Sequence, residues 1–186
     1  MRKSALILFG LFMLGAVAWA ADPAKYEVFG GYSYQWMDGE NYPAGWNASL
    51  AGYFTDNIGV VADFSGVYKS MQVGYWTGMS VVPVDASIRN HYFLFGPQFA
   101  FHPDGRWTPF LRGLAGVVNS RMEAEVADLT GSSTDFAFGF GGGLDLAVGD
   151  SVDLRMIQID YIRLEGEGHA EGDVLRISVG VVFKSR

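Results

Sequence analysis

The sequence predicts an all-β chain: an eight-stranded antiparallel up-and-down transmembrane β-barrel. Three observations predict it. After Pro23 the apolar and aromatic residues recur with period two, not 3.6. Eight such runs follow one another with turn signals between them. The connections alternate short and long, as they do in barrels with short turns at one membrane face and longer loops at the other.

The chain opens on an address rather than a strand. Met1-Arg2-Lys3 is basic, Ala5 to Val17 is uncharged and mostly apolar, and Ala18-Trp19-Ala20 is a small-x-small cleavage signal. These are the three regions of a secretory signal peptide, so residues 1–20 are expected to be cleaved and 21–186 to form the barrel domain. Removing Arg2 and Lys3 takes the formal charge from -7 to -9. No later run approaches the ~18 apolar residues of a transmembrane helix.

In the first strand Tyr26, Val28, Gly30, Tyr32 and Tyr34 share one face, against Glu27, Phe29, Gly31 and Ser33. The second sets Trp46, Ala48, Leu50, Gly52 and Phe54 against Asn47, Ser49, Ala51 and Tyr53. Thr55-Asp56-Asn57 turns the chain. The third sets Val60, Ala62, Phe64, Gly66 and Tyr68 against Val61, Asp63 and Ser65. The fourth carries Phe93, Phe95, Pro97, Phe99 and Phe101 on one face and ends at the turn His102-Pro103-Asp104-Gly105. The fifth, from Thr108 to Asn119, places Phe110 and Leu114 in phase with Arg112, which leaves Gly113 and Ala115 towards lipid. The sixth aligns Phe136, Phe138, Phe140, Gly142, Leu144, Leu146 and Val148, with Asp145 opposite, and Gly149-Asp150 turns it. The seventh runs from Val152 to Arg163. The eighth points Leu175, Ile177, Val179, Val181 and Phe183 one way and Arg176 and Ser178 the other. The connections 69–86, 121–133 and 165–172 are the long ones, and 36–43 is intermediate.

Charge decides which face meets lipid. An arginine facing lipid at the midplane costs roughly 2–4 kcal/mol. Arg112, Arg155, Arg163 and Arg176 are therefore expected in the lumen, with Glu27, Asp63, Asp145, Asp153 and Asp160 as their partners, because unpaired buried charges are costly. Strand seven changes phase: Val152, Leu154 and Met156 share one, Ile157, Ile159 and Tyr161 the other. A bulge near Met156-Ile157 keeps Asp153, Arg155, Gln158 and Asp160 all inward. The alternative is a soluble secreted β-sandwich or lipocalin-like binding protein, with the aromatic faces as its core. Trp and Tyr near the strand ends (Tyr34, Trp36, Trp46, Tyr68, Trp107, Tyr161) favour lipid.

This layout resembles the small eight-stranded outer-membrane β-barrel family, the OmpA-like transmembrane domain. The residues that carry the resemblance are Tyr26-Glu27-Val28-Phe29-Gly30-Gly31-Tyr32-Ser33-Tyr34, Phe95-Gly96-Pro97-Gln98-Phe99 and Pro109-Phe110-Leu111-Arg112-Gly113. Phe138-Gly139-Phe140-Gly141-Gly142-Gly143-Leu144-Asp145, Asp160-Tyr161 and the closing run from Leu175 to Phe183 complete it. The resemblance implies a bacterial outer-membrane location, contact with outer-membrane lipid and lipopolysaccharide, and insertion by the barrel-assembly machinery. Such barrels usually end on an aromatic residue, whereas Phe183 is followed here by Lys184-Ser185-Arg186. Larger OmpA-type proteins carry a peptidoglycan-binding domain after the barrel, and cell-wall anchoring is not carried over to this chain.

Composition narrows the function. Charged residues are 18 %, against about 25 % in a soluble domain. The acidic balance argues against a nucleic-acid partner, which needs a basic surface. Without Cys there is no disulfide scaffold, thiolate metal site or Cys nucleophile. The histidines are His91, His102 and His169. His169 lies among Glu165, Glu167 and Glu171, a solvated acidic loop with no spacing that fixes a metal. Gly139-Phe140-Gly141-Gly142-Gly143 lacks the Lys-Ser/Thr of a phosphate loop. The expected role is non-enzymatic, without cofactor: envelope structure or surface interaction, with a lumen plugged by charged pairs. A narrow ion-conducting pore and an outer-membrane lipid-modifying enzyme are the alternatives. In the long loop 69–86, Tyr75, Trp76 and Met79 are the expected surface contacts.

Overall fold

The computed structural model describes residues 25–37, 39–76, 80–101, 105–124, 129–166 and 172–185. Residues 1–20, read as the signal peptide, lie outside them. Among the described residues the chain forms eight strands: β1 (Lys25–Met37), β2 (Glu40–Tyr53), β3 (Ile58–Trp76), β4 (Val81–Ala100), β5 (Trp107–Ala124), β6 (Leu129–Ala147), β7 (Val152–Glu165) and β8 (Gly172–Ser185). Each pairs with its successor, and β8 returns antiparallel to β1, so the sheet closes in sequence order. Closure leaves the sheet no open edge, which a sheet in hydrocarbon requires.

Alternation sorts the side chains by physical need. Val28, Leu50, Phe64, Phe93, Phe95, Phe138, Phe140, Ile159 and Val179 are exposed and form the outer belt. Glu27, Asn47, Asp63, Gln98, Arg112, Asp145, Arg155, Asp160 and Arg176 are buried in the lumen. An ordinary soluble fold inverts this arrangement; lipid around the wall explains it. Strand five follows the pattern read from its sequence, with Phe110, Arg112 and Leu114 all buried.

The bulge in β7 is present. Its register on β8 shifts between Arg155 and Gln158, and its register on β6 shifts at Leu144/Asp145. Met156 and Ile157 are both exposed, while Asp153, Arg155, Gln158 and Asp160 are all buried. One extra residue there keeps four polar side chains inside and leaves Leu154, Met156, Ile157 and Ile159 exposed outside.

The outer connections are shorter than the sequence pattern implies. The segments read as loops 69–86 and 121–133 are mostly strand: β3 and β4 stay in register out to Trp76 and Val81, β5 and β6 out to Ala124 and Leu129. The intermediate loop 36–43 is likewise a hairpin, with Met37 opposite Glu40 and the positive φ of 83° taken by Gly39. Polar composition in these segments reflects water on both faces, not irregular backbone. β3 to β6 run 18 to 20 residues, against 13 or 14 for the other four. A barrel strand needs only ~9–11 residues to cross. Half the wall therefore rises well above the membrane as a four-stranded sheet, held together by β4–β5 pairing up to Ala86 and Ala124.

At the opposite end the turns are tight. Phe54 N–H donates to Ile58 O at 2.9 Å, and Val148 N–H to Val152 O at 3.2 Å. Asn57 Nδ2 donates to Ala100 O at 2.7 Å, tying one turn to the next strand pair.

Candidate functional site: the charged lumen

The centre of the barrel is one connected polar layer. Arg112 on β5 holds Asp160 on β7 with both ends of its fork: Nε to Oδ1 at 2.8 Å and Nη2 to Oδ2 at 2.7 Å. The same Nη2 lies 3.0 Å from Asp63 Oδ2 on β3. Arg176 on β8 answers from the other side, with Nη2 2.9 Å from Asp63 Oδ1 and 3.0 Å from Asp160 Oδ2. Its Nη1 donates to Ser65 Oγ at 2.6 Å. All four charged side chains have zero exposure, so two arginines and two aspartates form a fully desolvated square. Such pairing offsets the cost of burying charge only when hydrogen bonds fill the remaining positions. Asn47 Nδ2 donates to Asp63 at 3.0 Å, and Gln158 Nε2 donates to Asp160 at 2.9 Å and to Asn47 Oδ1 at 3.0 Å.

Towards the tight-turn end lies a second group. Arg155 holds Asp145 with Nε and Nη2, each bond 2.8 Å. Its Nη1 donates to Gln158 Oε1 at 2.8 Å, linking this group to the square above. The guanidinium lies between the rings of Phe29 at 4.5 Å and Phe110 at 4.2 Å, a flat cation stacked on two apolar faces. Tyr53 donates to Glu27 Oε2 at 2.8 Å and accepts from Gln98. Lys184 closes the end against Asp153.

Glycines in β6 make this reach possible. Gly141 lies opposite Arg112 on one side and Asp160 on the other. A Cβ there would fall 2.1 Å from Asp160 Oδ1. At Gly143 it would fall 2.7 Å from the tip of the Phe110 ring. The glycine run read as barrel wall is thus a window that lets β5 and β7 side chains meet across β6.

Above the square the lumen becomes mostly apolar, with the buried amides of Gln35 beside Tyr42 and Asn90 beside Val67 as its polar members. Tyr42, Val67, Tyr92, Val118, Ala137, Ile162, Leu164 and Val174 are buried in one cluster, with Met37 and Ile88 packed on it. The interior is filled with side chains at both levels, as eight strands allow.

The expected lumen set enters this layer with one correction. Arg163 does not join it. The bulge fixes Asp160, Ile162 and Leu164 inward, so Arg163 takes the opposite phase, sits 40 % exposed at the outer rim and pairs with Asp173 at 3.1 Å. Lys184 holds the place instead: it shares the inward phase of Arg176, Ser178 and Val182. In the sequence Lys184 stands out only as a residue after the last aromatic. Asn47, Tyr53 and Gln98 carry no charge to mark them, although the period-two pattern takes all three inward.

The expected surface contacts fall at the top of the raised wall. Tyr75 and Trp76 belong to β3, opposite Val82 and Val81, while Met79 lies outside the described residues. His102, Glu167, His169 and Glu171 also lie outside them. His91 is on the outward phase of β4, its Nε2 3.4 Å from the Tyr68 hydroxyl, which in turn accepts from Trp46 Nε1 at 3.2 Å. Among the described residues no group of three His, Asp or Glu could hold a metal ion.

A closed eight-stranded wall with aromatics outside and paired charges inside defines an outer-membrane β-barrel protein. The family model for the outer membrane protein beta-barrel domain matches residues 4–183, and the chain belongs to that family, whose place is the bacterial outer membrane. Solved structures agree on the fold. Ail, the attachment invasion locus protein of Yersinia pestis, in complex with the heparin analogue sucrose octasulfate, is 16 % identical, with 88 % of this chain and 100 % of that one covered and a TM-score of 0.61. Neisserial surface protein A is 13 % identical, with 88 % and 100 % covered and a TM-score of 0.60. OprG of Pseudomonas aeruginosa is 12 % identical, with 88 % and 96 % covered and a TM-score of 0.53. No curated protein matches the sequence.

Proposed function

We propose that the protein is a non-conducting, non-enzymatic barrel that serves envelope structure and surface interaction. The observation that carries this is the lumen. The Arg112–Asp63–Asp160–Arg176 square has no exposed atom to hydrate an ion, and an apolar cluster lies over it. An ion would have to break paired, desolvated charges to pass. Protein refolded into planar bilayers is expected to show no stable conductance steps; large, long-lived steps would overturn the reading.

The surface role rests on the raised half-wall of β3 to β6. β2 pairs with β3 only as far as Ala44 and Tyr68, so the stretch from Lys69 to Trp76 forms one border of that sheet. Such a border offers backbone hydrogen-bonding groups to an extended partner. Tyr75 and Trp76 at its end, and Met79 in the segment that follows, are the proposed contact residues. Outer-membrane lipid and lipopolysaccharide surround the wall below, and the barrel-assembly machinery inserts it. Residues 1–20 are removed on export, and N-terminal sequencing of protein from outer membranes is expected to begin at Ala21.

A further inference from the structure

We propose that the raised half-wall of β3 to β6 pairs with the half-wall of a second copy of this chain, held in an opposed membrane, so that the two complete one eight-stranded cylinder. This contact deepens the surface role given to that wall and rests on it.

The wall has two free edges. Among the described residues β3 has no ladder partner on its β2 side beyond Tyr68, and β6 has none on its β7 side before Phe136. Residues 69–76 and 129–135 thus present one row each of unpaired backbone groups. Edge strands in water are normally guarded by charge, proline or a bulge. Gln72-Val73-Gly74-Tyr75-Trp76 and Leu129-Thr130-Gly131-Ser132-Ser133 contain no charged residue and no proline. Neither edge strand shifts register against its neighbour in the wall. The charged residues of the two edges, Lys69 and Asp135, stand at the foot. Both edges are left open to pairing in their upper part.

Topology selects the partner. β7, β8, β1 and β2 end lower, so the space of four strands lies open above them, and a second half-wall supplies four. β3 runs away from the tight-turn end and β6 runs towards it. An upright neighbour in the same membrane brings like edges together only in parallel, and its own barrel bars it from the gap. An inverted copy, related by a two-fold axis in the membrane plane, sets β3 against β3 and β6 against β6, both antiparallel, with the lumen faces inside. Such an axis must cross both edges at one height. Gly74 is the sixteenth residue after Ile58 at the foot of β3, and Gly131 is the sixteenth before Ala147 at the foot of β6, so the two edges meet that condition. With the axis through these glycines, Gln72 faces the partner's Trp76 and Thr130 faces the partner's Ser132. Met122, exposed on the lumen phase of β5, is covered by the closure.

The test uses the full chain refolded into phosphatidylcholine vesicles. The chain has no cysteine, so an introduced one reports contact with another copy alone. Directly opposed residues lie within disulfide reach. Vesicles carrying Q72C mixed with vesicles carrying W76C are expected to give a disulfide-linked dimer on mild oxidation, at least fivefold more than either population alone. Wild-type vesicles are expected to cluster in light scattering, because many weak contacts add between two surfaces. T130D/S132D places like charges opposite one another and is expected to abolish clustering. T130K/S132K is expected to do the same alone, and mixing the two variants is expected to restore it. Heat-dependent gel migration reports that each variant is folded. Wild-type vesicles that stay dispersed overturn the proposal and leave the border to an extended segment of another protein. Q72C linking to itself, which marks a parallel contact, overturns it too, as does undiminished clustering of folded T130D/S132D or a mixture that stays dispersed. Conductance is untouched by these results, so failure here is distinct from failure of the closed-lumen reading.

Discussion

Arg112 and Asp160 are two strands apart yet joined by a two-pronged ion pair, 2.7 and 2.8 Å long, that passes over Gly141. The pair exists because β6 presents no side chain at that point. It fixes the spacing of β5 and β7 and, through Asp63 and Arg176, that of β3 and β8 as well.

Removing Arg112 leaves two buried carboxylates short of a cation. R112A is expected to lower unfolding stability in urea by about 3–5 kcal/mol. R112K keeps the charge but not the fork, and is expected to lose about 1.5–3 kcal/mol. Equal stability of R112A and wild type would show that the square is not holding the wall.

Gly141→Ala tests the window itself. The new Cβ would meet Asp160 Oδ1 at 2.1 Å and Ile159 O at 2.5 Å, and the second atom is backbone. The expected loss is about 1–3 kcal/mol from overpacking. G113A is the control, since its Cβ meets only Pro97 at 3.8 Å on the outer face. Chemical unfolding of both in the same detergent checks the contrast; similar losses would refute it.

Lys184 takes the lumen place that the sequence reading gives to Arg163. K184A leaves Asp153, nearly fully buried, without its cation and is expected to cost on the order of 1–3 kcal/mol. R163A removes a rim pair in water and is expected to leave the unfolding midpoint unchanged. The reverse order in a urea titration would place Arg163, not Lys184, in the lumen.

The hairpin tip carries a pH signature. The hydrogen bond from Lys69, and then its charge, hold the Glu40 carboxyl below the usual glutamate range. A lowered folded-state value contributes stability above the ordinary value, lost as pH falls through the lowered one. E40Q is thus expected to be slightly less stable than wild type at pH 7 and equal to it near pH 3. Because Glu40 is exposed, the difference is small and is expected to shrink in high salt. A difference that persists at pH 3 would assign it to packing instead.

Much of the barrel is legible in the chain because a strand between lipid and lumen must alternate. That requirement writes Glu27, Asp63, Arg112, Asp145 and Arg176 into one phase and the phenylalanines into the other. It even exposes the bulge, since Val152-Leu154-Met156 and Ile157-Ile159-Tyr161 cannot share a face without one extra residue. The same rule, carried past the bulge, puts Arg163 outward and Lys184 inward. Weighing charge ahead of phase puts Arg163 on the wrong face, and Lys184 is given no face at all.

The sequence by itself determined the strand number, the face each residue takes and the sign of charge inside, since these follow from local periodicity and the cost of charge in lipid. Only the tertiary structure decided which charge meets which. Register between strands sets that, and register depends on where bulges and glycines fall around a closed ring: Gly141 lets Arg112 cross to Asp160, and the Arg155/Gln158 shift carries Arg155 to Asp145. It also decided that segments 69–86 and 121–133 stand as paired strands above the membrane, because backbone pairing across a hairpin depends on the partner strand and not on polarity.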